Sequence, residues 1–112
     1  MAAHPGVAVN RVELIAQAVE CTPLRFTPAG MPVLELTLAH ESDVVEAGRS
    51  RRIEMTIAAI AMGDLARMLE RVSLGKRMKV TGFLAATRKG SSRLRLHIQT
   101  FAAVSEADTP NV

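Results

Sequence analysis

Tryptophan and tyrosine are absent from this 112-residue chain, and phenylalanine occurs three times, at Phe26, Phe83 and Phe101. Any surface that stacks on flat ligands must therefore be built from few rings. The single cysteine, Cys21, excludes an intrachain disulfide and has no CxxC partner for redox or metal chemistry. No apolar run approaches the roughly 20 residues that span a bilayer, and no leader-like segment precedes the first periodic stretch. These absences point to a reducing, cytoplasmic setting without a membrane span. Catalytic constellations are missing too. His4, His40 and His97 are scattered, no glycine-rich phosphate loop is present, and His40 beside Glu41 reads as a polar strand end rather than part of a metal site. We read a non-enzyme that needs no metal or cofactor.

Acid is also missing from one long stretch. Fourteen Lys and Arg oppose eleven Asp and Glu, a net charge of only +3. From Lys76 to Arg95, however, there are seven cations (Lys76, Arg77, Lys79, Arg88, Lys89, Arg93, Arg95) and no carboxylate, while Glu41, Asp43 and Glu46 collect centrally. A stripe of one sign is what a polyanionic partner selects.

The length fits one domain, able to bury roughly two thirds of its unfolded surface. Residues 1–9 and 105–112 are small, polar or Pro-bearing and aperiodic, so they are expected to be loose ends around a domain at 10–104. Arg11 to Val19 alternates as a strand with Val12, Leu14, Ala16 and Ala18 inward. Pro23 interrupts pairing, and Thr27-Pro28-Ala29-Gly30 reads as a tight turn between strands. A second strand covers about Pro32 to His40, with Leu34, Leu36 and Leu38 inward. Glu41 to Ser50 breaks all periodicity and is expected to be a mobile loop. Ile53, Met55, Ile57 and Ala59 mark a third strand. Met62 to Val72 switches to helical period with Leu65, Met68, Leu69 and Val72 on one stripe, Asp64 as acceptor for its first amides and Gly75 as its stop. Met78, Val80, Gly82 and Leu84 form strand four, Lys89 to Ser92 turns, and Leu94, Leu96 and Ile98 form strand five.

Three strands, a short α-helix between strands three and four, and a hairpin of two long strands is the order of an all-β, five-stranded OB-fold barrel, partly open and commonly an oligonucleotide binder. An SH3-like barrel has no natural place for that helix. On strand five Arg93, Arg95, His97 and Gln99 share a face, matched on strand four by Lys79, Thr81 and Phe83. Together with Arg88 and Lys89 at the turn, they form a candidate binding surface. The plainer alternative, a solvated outer face, is weakened by the missing acids. A second cluster, Arg49, Arg51 and Arg52, lies near Glu41, Asp43 and Glu46, which compete with phosphate for its guanidinium groups. Phe26 and Phe83 are the exposed stacking candidates, and Phe101 belongs to the core or an interface. With so few rings, binding leans on charge and on low salt. Ile15 and Val19, apolar on the otherwise polar face of strand one, suit a homodimer seam. A rival reading makes the basic face a dock for an acidic protein partner.

Taken together, Asn10-Arg11, Pro23-Leu24-Arg25, Thr27 to Pro32, Leu38-Ala39-His40, Glu46-Ala47-Gly48, Gly75, Thr81-Gly82-Phe83 and Leu96-His97 resemble the primosomal replication protein N (PriB) family and, more distantly, bacterial single-strand-binding protein. The likeness spans residues 10 to 104, and the short stretch after strand five favours the former, since the latter continues into a long acidic-tipped tail. The resemblance implies a homodimer of OB domains that binds single-stranded DNA and assists the PriA helicase and DnaT in replication restart. It places Arg88, Lys89 and Arg93 at the family's DNA-contacting lysines and Arg51 at a basic position. Arg49 and Glu54 stand where relatives carry stacking aromatics, and the hairpin loop is about two residues short, both of which weaken expected affinity.

Overall fold

Alternation of apolar side chains organises the chain into a closed barrel. The computed structural model describes residues 8–104, so the expected loose ends fall, apart from residues 8 and 9, outside the described residues. The elements are β1 (Val12–Cys21), β2 (Arg25–Phe26), β3 (Pro32–Glu46), β4 (Arg49–Met62), α1 (Asp64–Glu70), β5 (Arg77–Ala86) and β6 (Leu94–Ala103). Strand order is β1-β5-β6-β4-β3-β2, and a further β1–β3 pairing closes the ring. Five long strands make the barrel; the two-residue β2 only extends β3 through Arg25↔Val33 and Phe26↔Pro32. This is the five-stranded OB fold expected, but closed rather than partly open.

The barrel interior holds Ala16, Ala18, Leu34, Leu36, Leu38, Ala59, Ala61, Met78, Val80, Leu96 and Ile98, with Ala66 and Leu69 of α1 packed against it. Most of these are the period-2 positions read from the sequence, with two bulges adjusting their phase; Ala61 extends the run on β4, and Val33 and Ile60, off that phase, are buried as well (1% and 2%). On β1 the register shifts between Ala18 and Glu20, so Val19 sits in a bulge, which explains an exposed valine (41%) on a polar face. Between β5 and β6, Thr81↔Thr100 is followed by Gly82↔Ile98, so Gln99 is the extra residue and Phe101 turns to the inner side.

Three local expectations are corrected. Glu41 to Ser50 is not a mobile loop: β3 and β4 pair from Val33↔Met62 to Glu46↔Arg49 and join through the two residues Ala47 and Gly48. Both have positive φ, 54° and 77°, the geometry of the tight hairpin turn whose twist matches its strands. The alternation vanishes there because the hairpin projects from the barrel, where no core selects one face. The helix is shorter than Met62 to Val72; Ala66 and Leu69 are buried against the barrel and Leu65 and Val72 partly so, while Met68 points away from it and is exposed (54%). Its first residue is preceded by Gly63 at φ 75°, without a side-chain cap, so Asp64 lies in the first turn and caps nothing. His40 is not a strand end either. Its Nδ1–H donates to the Ile15 carbonyl (2.8 Å) and its Nε2 accepts from the Ser42 hydroxyl (2.9 Å), bridging β3 to β1 just where direct pairing has stopped.

Candidate nucleic-acid interface

The β5–β6 hairpin carries the clearest concentration of unpaired positive charge. Its loop is braced from within: the Thr87 amide donates to the Arg93 carbonyl (2.9 Å) and the Ser91 amide to the Arg88 carbonyl (3.0 Å). The Ser91 hydroxyl oxygen also accepts from the Arg93 amide (3.0 Å), and Gly90 takes the positive φ that the turn requires, 81°. Arg88, Lys89 and Arg93 project from this frame, exposed, and among the described residues none is in an ion pair. The root of the hairpin is pinned by Asn10, whose side-chain amide donates to the Leu84 carbonyl (2.8 Å) and accepts from the Leu84 amide (2.9 Å). A side chain thus makes the two bonds that a paired strand residue would make. Periodicity gave no role to Asn10; only its place in the Asn10-Arg11 motif singled it out.

Of the remaining cations of the acid-free stretch, Lys79 and Arg95 meet acids contributed by other strands, while Lys76 and Arg77, where β5 begins, are in no ion pair among the described residues. Lys79 lies 3.6 Å from Glu13 of β1, which also faces Arg11 at 3.8 Å. Arg95 is largely covered (23% exposed side chain) and lies 3.8 Å from Glu35 of β3, whose other oxygen takes Arg25 at 2.6 Å. The Arg95 Nε is buried without a partner. Arg95 therefore belongs to an Arg25–Glu35–Arg95 network rather than to the open cluster.

The Arg49, Arg51 and Arg52 cluster is mostly satisfied within the β3–β4 arm. Arg51 pairs with Glu46 (2.6 Å), and Arg52 faces Glu41 (2.7 Å), Asp43 (3.5 Å) and Glu54 (3.6 Å). Only Arg49 is outside these pairs. The arm thus sets three guanidinium groups against four carboxylates, a poor surface for a polyanion.

Phe83 stacks on His97 across the β5–β6 ladder, with ring centroids 4.9 Å apart and planes 10° from parallel. Burial pushes the His97 imidazole below its ordinary value, and the Arg95 guanidinium adds to this, so the ring is neutral near pH 7. Sequence reasoning put His97 on the right face but missed it as the partner that doubles the aromatic area. Phe26 is exposed (52%) beside α1, where the Arg67 guanidinium sits 5.4 Å from its ring centroid. The Cys21 thiol is pushed up by burial and by Glu70, and so stays protonated. Among the described residues no group of three potential metal ligands exists, and no helix is long and apolar enough to cross a membrane.

Residues 10–100 match a family model described as "Another single-strand binding protein family". Replication restart protein PriB of Bordetella pertussis is 55% identical over 91 residues, covering 81% of this chain and 85% of that protein. The chain belongs to the PriB family. PriB of Neisseria meningitidis serogroup B is 37% identical over 90 residues, covering 80% of this chain and 89% of that one. The solved structure of PriB from Ralstonia solanacearum superposes with a TM-score of 0.78 at 35% identity, covering 86% of this chain and 98% of its own. The wild-type single-stranded DNA binding protein of Thermus aquaticus shares the fold, at TM-score 0.68 and 22% identity over 88% of this chain and 51% of its own. This PriB-family chain thus carries one group of unpaired cations, Arg88, Lys89 and Arg93, on the connection between the fourth and fifth barrel strands, one of the two loops that OB folds use for oligonucleotides.

Proposed function

We infer that the chain is a single-stranded DNA-binding accessory protein of replication restart, non-catalytic and cytoplasmic. The observation that carries the reading is the hairpin: Arg88, Lys89 and Arg93 stand together on a braced loop without a carboxylate partner among the described residues, while Lys79 and Arg95, further along the same two strands, are faced by Glu13 and Glu35. Guanidinium forks pair phosphate oxygens bidentately and stack on bases, so two arginines and a lysine on a fixed loop suit a flexible anionic strand. The Phe83–His97 stack supplies an aromatic unit on the two strands that carry this loop, and Arg49 offers a further contact. Phe26 contributes less because its ring is engaged by Arg67. PriA helicase and DnaT are the proteins that a member of this family assists, and a homodimer is its working form. Fluorescence titration with oligo-dT of increasing length tests the DNA reading. Three to four phosphate contacts give a log–log salt slope of about −2 to −3. No saturable binding at low salt would leave an OB adaptor for acidic proteins as the better account.

A further inference from the structure

A second group of unpaired cations lies at the opposite end of β5. Arg71, Lys76 and Arg77 rim a cavity of about 200 Å³ with Val72, Met78 and Phe101 among its lining residues. Met78 is buried at 2% exposure, Val72 and Phe101 are half-buried against the core, and the three cations are exposed. Among the described residues none of the three is in an ion pair.

The rim is held in place. The Gly75 amide donates to the Ala18 carbonyl (2.8 Å) and the Lys76 amide to the Ser73 carbonyl (3.2 Å), tying the α1–β5 connection to the barrel. The β6 bulge at Gln99 brings Phe101 round to the cavity floor. From Arg77 to Ala86 β5 runs ten residues, so the cavity lies about 30 Å from the hairpin root at roughly 3.3 Å per residue. Between the two, Lys79 is faced by Glu13 and Arg95 by Glu35. The open charge is therefore interrupted, as expected of two sites rather than one continuous track.

We propose that this cavity docks an acidic peptide segment of a partner protein. One apolar side chain of the peptide seats on Val72, Met78 and Phe101, and flanking carboxylates pair with Arg71, Lys76 and Arg77. A mostly apolar concavity with a few convergent charged groups is the general form of a specific site, and charge-assisted pairs at its rim set the sign of the ligand. The inference uses none of the residues assigned to DNA and stands independently of that assignment.

The test uses the full chain and fluorescence anisotropy with a labelled ten-residue peptide in which four aspartates flank one phenylalanine. The double variant Arg71→Gln/Arg77→Gln, exposed at both positions, should weaken peptide binding about tenfold. A peptide with serine for phenylalanine, or asparagine for aspartate, should lose about as much, while Arg88→Ala/Lys89→Ala leaves peptide binding within about twofold. The Gln variant should leave the oligo-dT salt slope unchanged. Unaltered peptide affinity in the Gln variant would overturn the proposal, and so would an oligo-dT slope flattened as much as by the hairpin variant, which would make the cavity part of the DNA path. Peptide binding seen only after removal of residues 105–112, which include Glu106 and Asp108, would also overturn it in favour of this chain's own end as occupant.

Discussion

At Gly82, β5 passes so close to β6 that an added Cβ would overlap the His97 carbonyl oxygen and crowd the Ile98 Cα. The obstacle is backbone beside a bulge, so it has no flexible side-chain end to move aside. Gly82→Ala should destabilise the barrel by about 1–3 kcal/mol, as overpacking does, read as a lower urea midpoint at unchanged slope. The neighbouring His97 gives a pH signature. Its folded pKa lies below its ordinary 6.5, so the unfolded chain binds the proton more tightly. This contribution to stability is present above about pH 6.5 and is lost as pH falls toward the folded value. Thermal melts between pH 8 and 5 should show that loss, and His97→Gln should remove this component. A His97→Gln protein with the same pH dependence as the parent would place the effect elsewhere.

At the scale of elements, the two hairpins divide by how their charges are satisfied. Alanine at Arg88, Lys89 and Arg93 removes three cations with no acid partner among the described residues, so the oligo-dT salt slope should flatten by about 2, near 0.7 per lost phosphate contact. The same treatment of Arg49, Arg51 and Arg52 should flatten it by less, because Glu46, Glu41, Asp43 and Glu54 already engage two of the three. Melting temperatures should hardly move in the first variant, since exposed charges away from caps and core usually contribute within about half a kcal/mol. A salt series on both folded variants checks the ranking. Greater loss in the arm variant would assign the main contact surface to the arm.

For the whole molecule, the strand edges set how copies can associate. The barrel closes through β1–β3 pairing at Gln17 to Cys21, but the other half of β1, Val12 to Ala16, is paired among the described residues on one side only, with β5. His40 takes one carbonyl there, at Ile15. An uncovered strand edge is where a second chain adds, and the proposed homodimer would use it, with Ile15 beside the two-fold axis and the bulged Val19 at the margin. Sedimentation at micromolar concentration should give a dimer, and Ile15→Lys should shift it toward monomer. Monomer alone for the parent chain would remove β1 as the seam.

The sequence by itself determined the barrel: period-2 runs, a helical run of changed period and turn residues between them prescribed five strands and one helix, because a buried face leaves its mark on every second residue. The same alternation put Arg93 on the outer face, and the turn between the last two strands, in a stretch without acids, marked Arg88 and Lys89. It was silent on the arm at Glu41 to Arg52, where neither face is buried and cross-strand ion pairs stand in for apolar contacts. Only the tertiary structure decided which cations are available. Glu13 and Glu35 are far from Lys79 and Arg95 in the chain but within 4 Å after folding, because barrel closure brings separate strands side by side. The cavity at Arg71, Lys76 and Arg77 was equally hidden, since it exists only where the end of α1, the start of β5 and the bulged end of β6 converge.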